Sequence, residues 1–171
     1  FIYNDLQDGR PVSILYDLKS GTKRIFDAPI YHVAPDGRMA LGVNFARVQR
    51  LRPGYGYIAL EAEPPLPLDQ DGVWQIDLQT GETRLIVSFT QLVAFQPDPA
   101  FGAAEHLEHW IDHLLIGPDG KRFMLLHRIQ GADGYFTSRL LTADLDEKSL
   151  ALLAVGMVSH YCWLRADQVM A

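Results

Sequence analysis

The sequence of 171 residues has one cysteine, only four lysines and no long apolar run. The single cysteine, Cys162, excludes an internal disulfide framework and a cysteine-based zinc site. No stretch approaches the roughly 18 apolar residues that a membrane-spanning helix needs, so we expect a soluble protein with no membrane partner. The residues do not separate a cytoplasmic from a periplasmic location. A glycine-rich phosphate loop and a Gly-x-Ser-x-Gly nucleophile motif are also absent.

Acidic residues outnumber basic residues in this sequence. There are 15 Lys and Arg residues against 21 Asp and Glu residues, which gives a net charge of −6. Because a nucleic-acid interface needs a basic stripe to neutralise phosphates, we expect no nucleic-acid partner. The hydrophobic fraction of 48% and the charged fraction of 21% are typical of a globular domain with a substantial core.

Two hairpin patterns alternate along the chain. In the first, two apolar runs flank an Asp-x-x-x-Gly turn at residues 12–26 and 72–87, with a looser copy at 139–155. In the second, two apolar runs flank Pro-Asp-Gly at residues 30–43 and 113–126. A degenerate copy of this second pattern closes the sequence, at residues 160–171. Asp, Pro and Gly supply the backbone angles of tight turns, so each pattern predicts a β-hairpin.

The alternating hairpins predict an all-β protein, because two of them form the four-stranded antiparallel blade of a β-propeller. We expect about three blades in one domain over residues 1–171, with blade boundaries near 29, 112 and 159. Closed propellers have roughly 4–8 blades, so the sequence predicts an incomplete propeller or half of a ring that a second copy completes. An ordinary antiparallel sandwich is the alternative.

Three histidines lie where strands of these blades begin or end. His113 begins an inner strand, His127 ends the strand paired with it, and His160 begins the next inner strand. We expect all three on one face near the central channel, where imidazoles would suit a divalent metal ion. In the alternative reading, each is a surface or hydrogen-bonded strand-end residue.

Two long insertions interrupt the hairpins, at residues 47–71 and 89–112, and the second predicts a helix over 103–110. The first should overhang the same rim as the histidines, where its arginines would clamp a carboxylate and its tyrosines stack on a sugar ring. In the alternative reading, these arginines cover apolar surface and pair with Glu61 or Glu63. The predicted ligand-binding residues are Arg47, Arg50, Arg52, Tyr55, Tyr57, Trp110 and Trp163.

The Pro-Asp-Gly hairpins and the segment His-Tyr-Cys-Trp at 160–163 resemble TolB-like and WD40-like propellers. More narrowly, the chain resembles the branch that contains oligogalacturonide lyases. That resemblance implies a manganese ion held by His and Gln side chains, and β-elimination after removal of the proton α to a uronate carboxylate. It makes His113, His127 and His160 the metal ligands, with Arg128 or Arg50 as the catalytic arginine on the carboxylate. No glutamine ligand or catalytic base can be matched.

Three functions are compatible with these observations. The first is a metal-dependent lyase, or a binder, of a small acidic uronate oligosaccharide. The second is a non-catalytic propeller module that binds a ligand or protein through its rim loops. The third is a propeller fragment whose main property is self-association through exposed strand edges.

Overall fold

The computed structural model describes residues 1–60, 64–96, 107–146 and 149–171. Within these ranges the strands form four antiparallel sheets. Sheet 1 contains β1 (Ile2–Gln7), β2 (Arg10–Tyr16) and β3 (Lys23–Phe26). Sheet 2 contains β4 (His32–Val33), β5 (Met39–Val43), β6 (Gly72–Asp77) and β7 (Thr83–Ser88). Sheet 3 contains β8 (Glu108–Ile116), β9 (Arg122–Gln130), β10 (Phe136–Asp144) and β11 (Leu150–Gly156), and sheet 4 contains β12 (Cys162–Arg165) and β13 (Gln168–Met170).

The turn residues fold as their chemistry predicts. The Asp77 carboxylate accepts hydrogen bonds from the backbone N–H groups of Gln79 (2.7 Å) and Thr80 (2.8 Å), and these bonds lower the pKa of Asp77. Asp17 makes the same bonds in the first copy of the hairpin. Gly81 closes the turn at φ 88°, a left-handed conformation that favours glycine. The repeated hairpins are therefore built by the same local hydrogen bonds.

The order of the strands is that of propeller blades. Sheets 2 and 3 each contain four strands in chain order, whereas sheets 1 and 4 contain three and two. Each sheet finishes before the next begins, and the sheets do not close into a ring. This confirms an all-β, incomplete propeller. Its completion by a second copy stays a prediction.

Apolar cores lie between successive sheets. Phe26 of sheet 1 packs in one cluster with Ala40 and Ile76 of sheet 2. Sheets 2 and 3 share the largest cluster, whose members include Leu41, Val43, Val73, Ile111, Phe123, Leu125 and Leu141. Sheet 3 packs on sheet 4 through Met124, Leu126, Leu140, Trp163 and Val169. Alternate residues of β9 therefore face opposite neighbours, the odd-numbered ones sheet 2 and the even-numbered ones sheet 4.

Short helices begin both insertions. Helix α1 (Phe45–Leu51) follows β5 and is capped by Asn44, whose side chain accepts a hydrogen bond from Arg47 N–H at 3.0 Å. Helix α2 (Phe89–Ala94) follows β7 behind a capping box formed by Ser88 and Gln91. No helix in the described ranges is long and apolar enough to cross a membrane.

The helix predicted over residues 103–110 is wrong at its C-terminal end. Strand β8 begins at Glu108 and pairs with β9, while residues 97–106 lie outside the described ranges. Local helix propensity there is overridden by the pairing with β9 and by the burial of Trp110, whose ring packs on Phe136 of the same sheet.

Candidate functional site

His113 lies in a β-bulge of β8, the first strand of sheet 3. The register between β8 and β9 shifts between Asp112 and Leu115, and His113 adopts a left-handed φ of 54°. Its backbone N–H donates to the hydroxyl of Tyr31 at 2.9 Å. Bulges and left-handed non-glycine residues are costly, and they concentrate where a side chain must be re-aimed. Here the bulge brings the His113 ring to 5.8 Å from the ring of His160.

A small cavity of about 180 Å³ lies at this pair of histidines. Its lining residues are Tyr31, His113, Leu114, Leu115, His160 and Tyr161. The Tyr161 hydroxyl is buried and has no hydrogen-bond partner among the described residues. Burial raises the pKa of Tyr161 far above its usual value, so the hydroxyl stays protonated and can donate. An unpaired buried donor in a cavity marks a place for a ligand atom or an ordered water.

The environment of His113 favours its neutral imidazole. Burial lowers its pKa, an effect that the Asp112 carboxylate opposes and the positive charges of Arg128 and Arg52 reinforce. The His113 Nε2 atom lies 3.9 Å from Asp112 Oδ1. A neutral ring can donate one hydrogen bond and accept another, or bind a metal ion.

His127 lies elsewhere, which corrects the expectation that the three histidines converge. It is paired in register with Ile111, so its side chain lies on the face of sheet 3 toward sheet 2. There the His127 Nε2 atom is 3.0 Å from His109 Nδ1, and both rings are buried. His160 lies just before β12 of sheet 4, next to His113 and not next to His127. Among the described residues no three His, Cys, Asp or Glu side chains form a group that could hold a metal ion.

Two arginines of the predicted site, the catalytic candidate Arg128 and the ligand-binding candidate Arg47, hold the fold together. Arg128 is 2% exposed, and its Nε atom lies 3.2 Å from Asp112 Oδ1. Its Nη1 atom donates to the Ser138 hydroxyl and, at 2.9 Å, to the Val158 carbonyl. Arg47 is buried as well and pairs with Asp71 at 2.6 Å. The guanidinium groups of Arg128 and Arg47 bind groups of the protein itself, whereas the sequence predicted that they would bind a substrate carboxylate.

The remaining predicted residues divide between exposed and structural positions. Arg50 is partly exposed and lies 3.5 Å from Glu108. The hydroxyl of Tyr57 accepts a hydrogen bond from Asn4 at 2.9 Å, and the Trp163 indole donates to the Leu115 carbonyl at 3.0 Å. These three residues therefore have partners within the protein.

Arg52, Tyr55 and Trp110 do come together, around a residue that the sequence analysis missed. The guanidinium carbon of Arg52 lies 4.2 Å from the Tyr55 ring centroid and 5.3 Å from that of Phe136. The Trp110 ring packs edge-on to Phe136 with the centroids 5.4 Å apart. The charge of Arg52 also contributes to lowering the pKa of His113, although the residues of this cluster are not among those that line the histidine cavity.

Sequence reasoning also missed Tyr31 and Tyr161. A signal for them exists, since each stands beside a histidine near the start of an inner strand, in the pairs Tyr31-His32 and His160-Tyr161. No such signal exists for Phe136, whose position depends on the pairing of β9 with β10.

The order of the strands in these sheets defines a β-propeller segment. No protein-family model matches the chain, and no curated protein is similar to it. Among solved structures, the chain is similar to the crystal structure of the tricorn protease, a protein with β-propeller domains, with a TM-score of 0.56 and 13% sequence identity. The match covers 94% of this chain and 12% of the tricorn protease chain. At this identity the similarity shows the fold alone.

Proposed function

We propose that this propeller segment binds a small acidic saccharide of the uronate class at the cavity between His113 and His160, without cleaving it. The observation that carries the proposal is the buried, unpaired hydroxyl of Tyr161, a residue that lines the same cavity as the neighbouring imidazoles of His113 and His160. Sugar hydroxyls match such a lining, because they both donate and accept hydrogen bonds. The uronate class itself comes from the sequence resemblance.

The charges around the cavity favour an acidic ligand. Asp112, the nearest carboxylate, is neutralised by its buried pair with Arg128. Arg52 makes no ion pair among the described residues, and its positive charge acts on His113. Arg52 therefore supplies a positive charge, unpaired among the described residues, that acts on His113 in a chain whose overall charge is −6. A ligand carboxylate would be attracted to it.

The second candidate function is that of a metal-dependent lyase. The structure supports it less well than it supports binding without cleavage. Only two of the three predicted ligands, His113 and His160, lie together, and their nearest carboxylate, Asp112, bonds to Arg128. The described residues thus do not fit the predicted three-histidine manganese site. Arg128, the first catalytic candidate, is buried in the same ion pair.

Titration of the protein with a galacturonate trisaccharide tests the binding proposal. We expect saturable binding that Tyr161→Phe weakens roughly five- to tenfold, the usual effect of one lost hydrogen bond. His113→Ala should weaken it at least as much. Tyr16→Phe, which removes a hydroxyl from sheet 1, is the matched control and should leave the affinity unchanged. Equal affinity for a neutral glucose trisaccharide, or no effect of Tyr161→Phe, would contradict the proposal.

The same titration with a metal chelator, and then with added Mn²⁺, separates binding from catalysis. We expect the chelator to leave the affinity unchanged, because the cavity offers hydrogen-bonding groups without needing a metal. We also expect no unsaturated product, detected by its ultraviolet absorbance, in the presence of Mn²⁺. Affinity that depends on Mn²⁺, together with formation of that product, would establish the lyase instead.

A further inference from the structure

Two hydrogen-bond donors in the cluster around Phe136 are buried without acceptors among the described residues. The Nη1 atom of Arg52 and the Nε1 atom of Trp110 have no hydrogen-bond partner in the part of the chain that the structure describes. Trp110 is 1% exposed, so bulk water does not satisfy its indole N–H. Buried donors are almost always paired in folded proteins, which makes two in one cluster a feature that requires an explanation.

Both donors adjoin one aromatic ring. Phe136 contacts the Arg52 guanidinium at 5.3 Å and the Trp110 ring at 5.4 Å, measured to its centroid. Trp110 and Arg128 are register partners on the face of sheet 3 that carries Phe136. The charge of Arg128 is balanced by Asp112, whereas Arg52 has no carboxylate partner among the described residues. The two unpaired donors, Nη1 of Arg52 and Nε1 of Trp110, therefore belong to a cluster in which the charge of Arg52 has no carboxylate partner among the described residues.

We infer that Arg52 and Trp110 form a subsite for an oxyanion, in which Nη1 of Arg52 and Nε1 of Trp110 donate to its oxygens. An oxyanion supplies what both donors lack, acceptor atoms and a negative charge. The faces of Tyr55 and Phe136 hold the guanidinium in place without neutralising it. The subsite is thus organised before a ligand arrives.

Phe136 links the subsite to the protein surface, although neither Arg52 nor Trp110 lines the cavity beside it. Its side chain is 37% exposed, and it lines a cavity of about 500 Å³ whose walls include Leu107, Tyr135 and Thr137. A carboxylate and an inorganic phosphate both offer negatively charged oxygen acceptors, and titration with each of them separately distinguishes the two. In the proposed function the oxyanion is the uronate carboxylate, and this assignment alone rests on that function.

The indole N–H signals of the full chain test the subsite by NMR. The protein contains three tryptophans, so ¹⁵N labelling yields three such signals, which Trp→Phe variants assign. On titration with acetate, galacturonate and inorganic phosphate in separate samples, we expect the Trp110 signal to move and the Trp74 signal to stay. Movement with all three assigns a general oxyanion site, and movement with acetate and galacturonate alone assigns a carboxylate site.

Arg52→Gln should weaken this binding roughly tenfold to a hundredfold, as expected for a charged hydrogen bond. Arg38→Gln makes the same charge change at an exposed turn and should have no effect. A Trp110 signal that no anion moves, or that moves equally in Arg52→Gln, would overturn the subsite. A different result would contradict the proposed function alone. In that case acetate would still shift the Trp110 NMR signal, but the galacturonate trisaccharide would not bind.

Discussion

Replacing Arg128 with methionine is expected to lower the free energy of unfolding by about 3–5 kcal/mol. Asp112 is 1% exposed, and the substitution would leave its carboxylate buried without a counter-charge. The Ser138 hydroxyl and the Val158 carbonyl would lose a donor as well. Because Val158 lies between sheets 3 and 4, the loss should also loosen the packing of those two sheets. Urea unfolding followed by far-ultraviolet circular dichroism measures the effect.

The control for this experiment is the same substitution at a more exposed ion pair. Arg122 pairs with Asp144, and the two side chains are 31% and 24% exposed. Arg122→Met should cost less than about 1 kcal/mol, because water screens this pair. Adding Asp112→Asn to Arg128→Met should restore part of the stability, since it removes the uncompensated charge. Equal losses at Arg128 and Arg122 would show that burial does not set the strength of these pairs.

The part of the fold that the sequence predicted is the part fixed by local chemistry. At Asp77 and Gly81 the turn is specified by the side chain's own hydrogen bonds and by a left-handed glycine, so a repeat in sequence becomes a repeat in structure. The Pro-Asp-Gly turns at Gly37 and Gly120 behave in the same way, with nearly equal φ values of 70° and 69°. Alternation of the two hairpins then sets the number of strands in each sheet.

The candidate site was harder to predict, because it depends on which face of a strand each residue occupies. His127 was predicted at the end of a strand, but β9 continues to Gln130, and the register with Ile111 turns the His127 side chain toward sheet 2. The bulge at His113 inserts one extra residue into β8, and no residue type in the segment predicts it. The partners of Arg128 lie 10, 16 and 30 residues away along the chain, so its burial depends on tertiary contacts.

Lowering the pH below about 6.5 is expected to destabilise the protein, with His127 as the main cause. Burial, followed by the charges of His109 and Arg139, lowers the pKa of His127 well below its usual value in the folded state. The unfolded chain therefore binds a proton at a higher pH than the folded chain does. Stability is complete above the unfolded pKa and falls as the pH drops, by up to about 1.4 kcal/mol per pH unit for this group.

Urea unfolding at a series of pH values between 7.5 and 5 measures this slope. His32 and His113, whose pKa values burial also lowers, contribute with the same sign. His127→Gln removes the titrating group and should flatten the profile, although the loss of the contact with His109 lowers stability at every pH. An unchanged slope in His127→Gln would assign the acid sensitivity to other groups, and the buried His109–His127 pair would then not control stability at low pH.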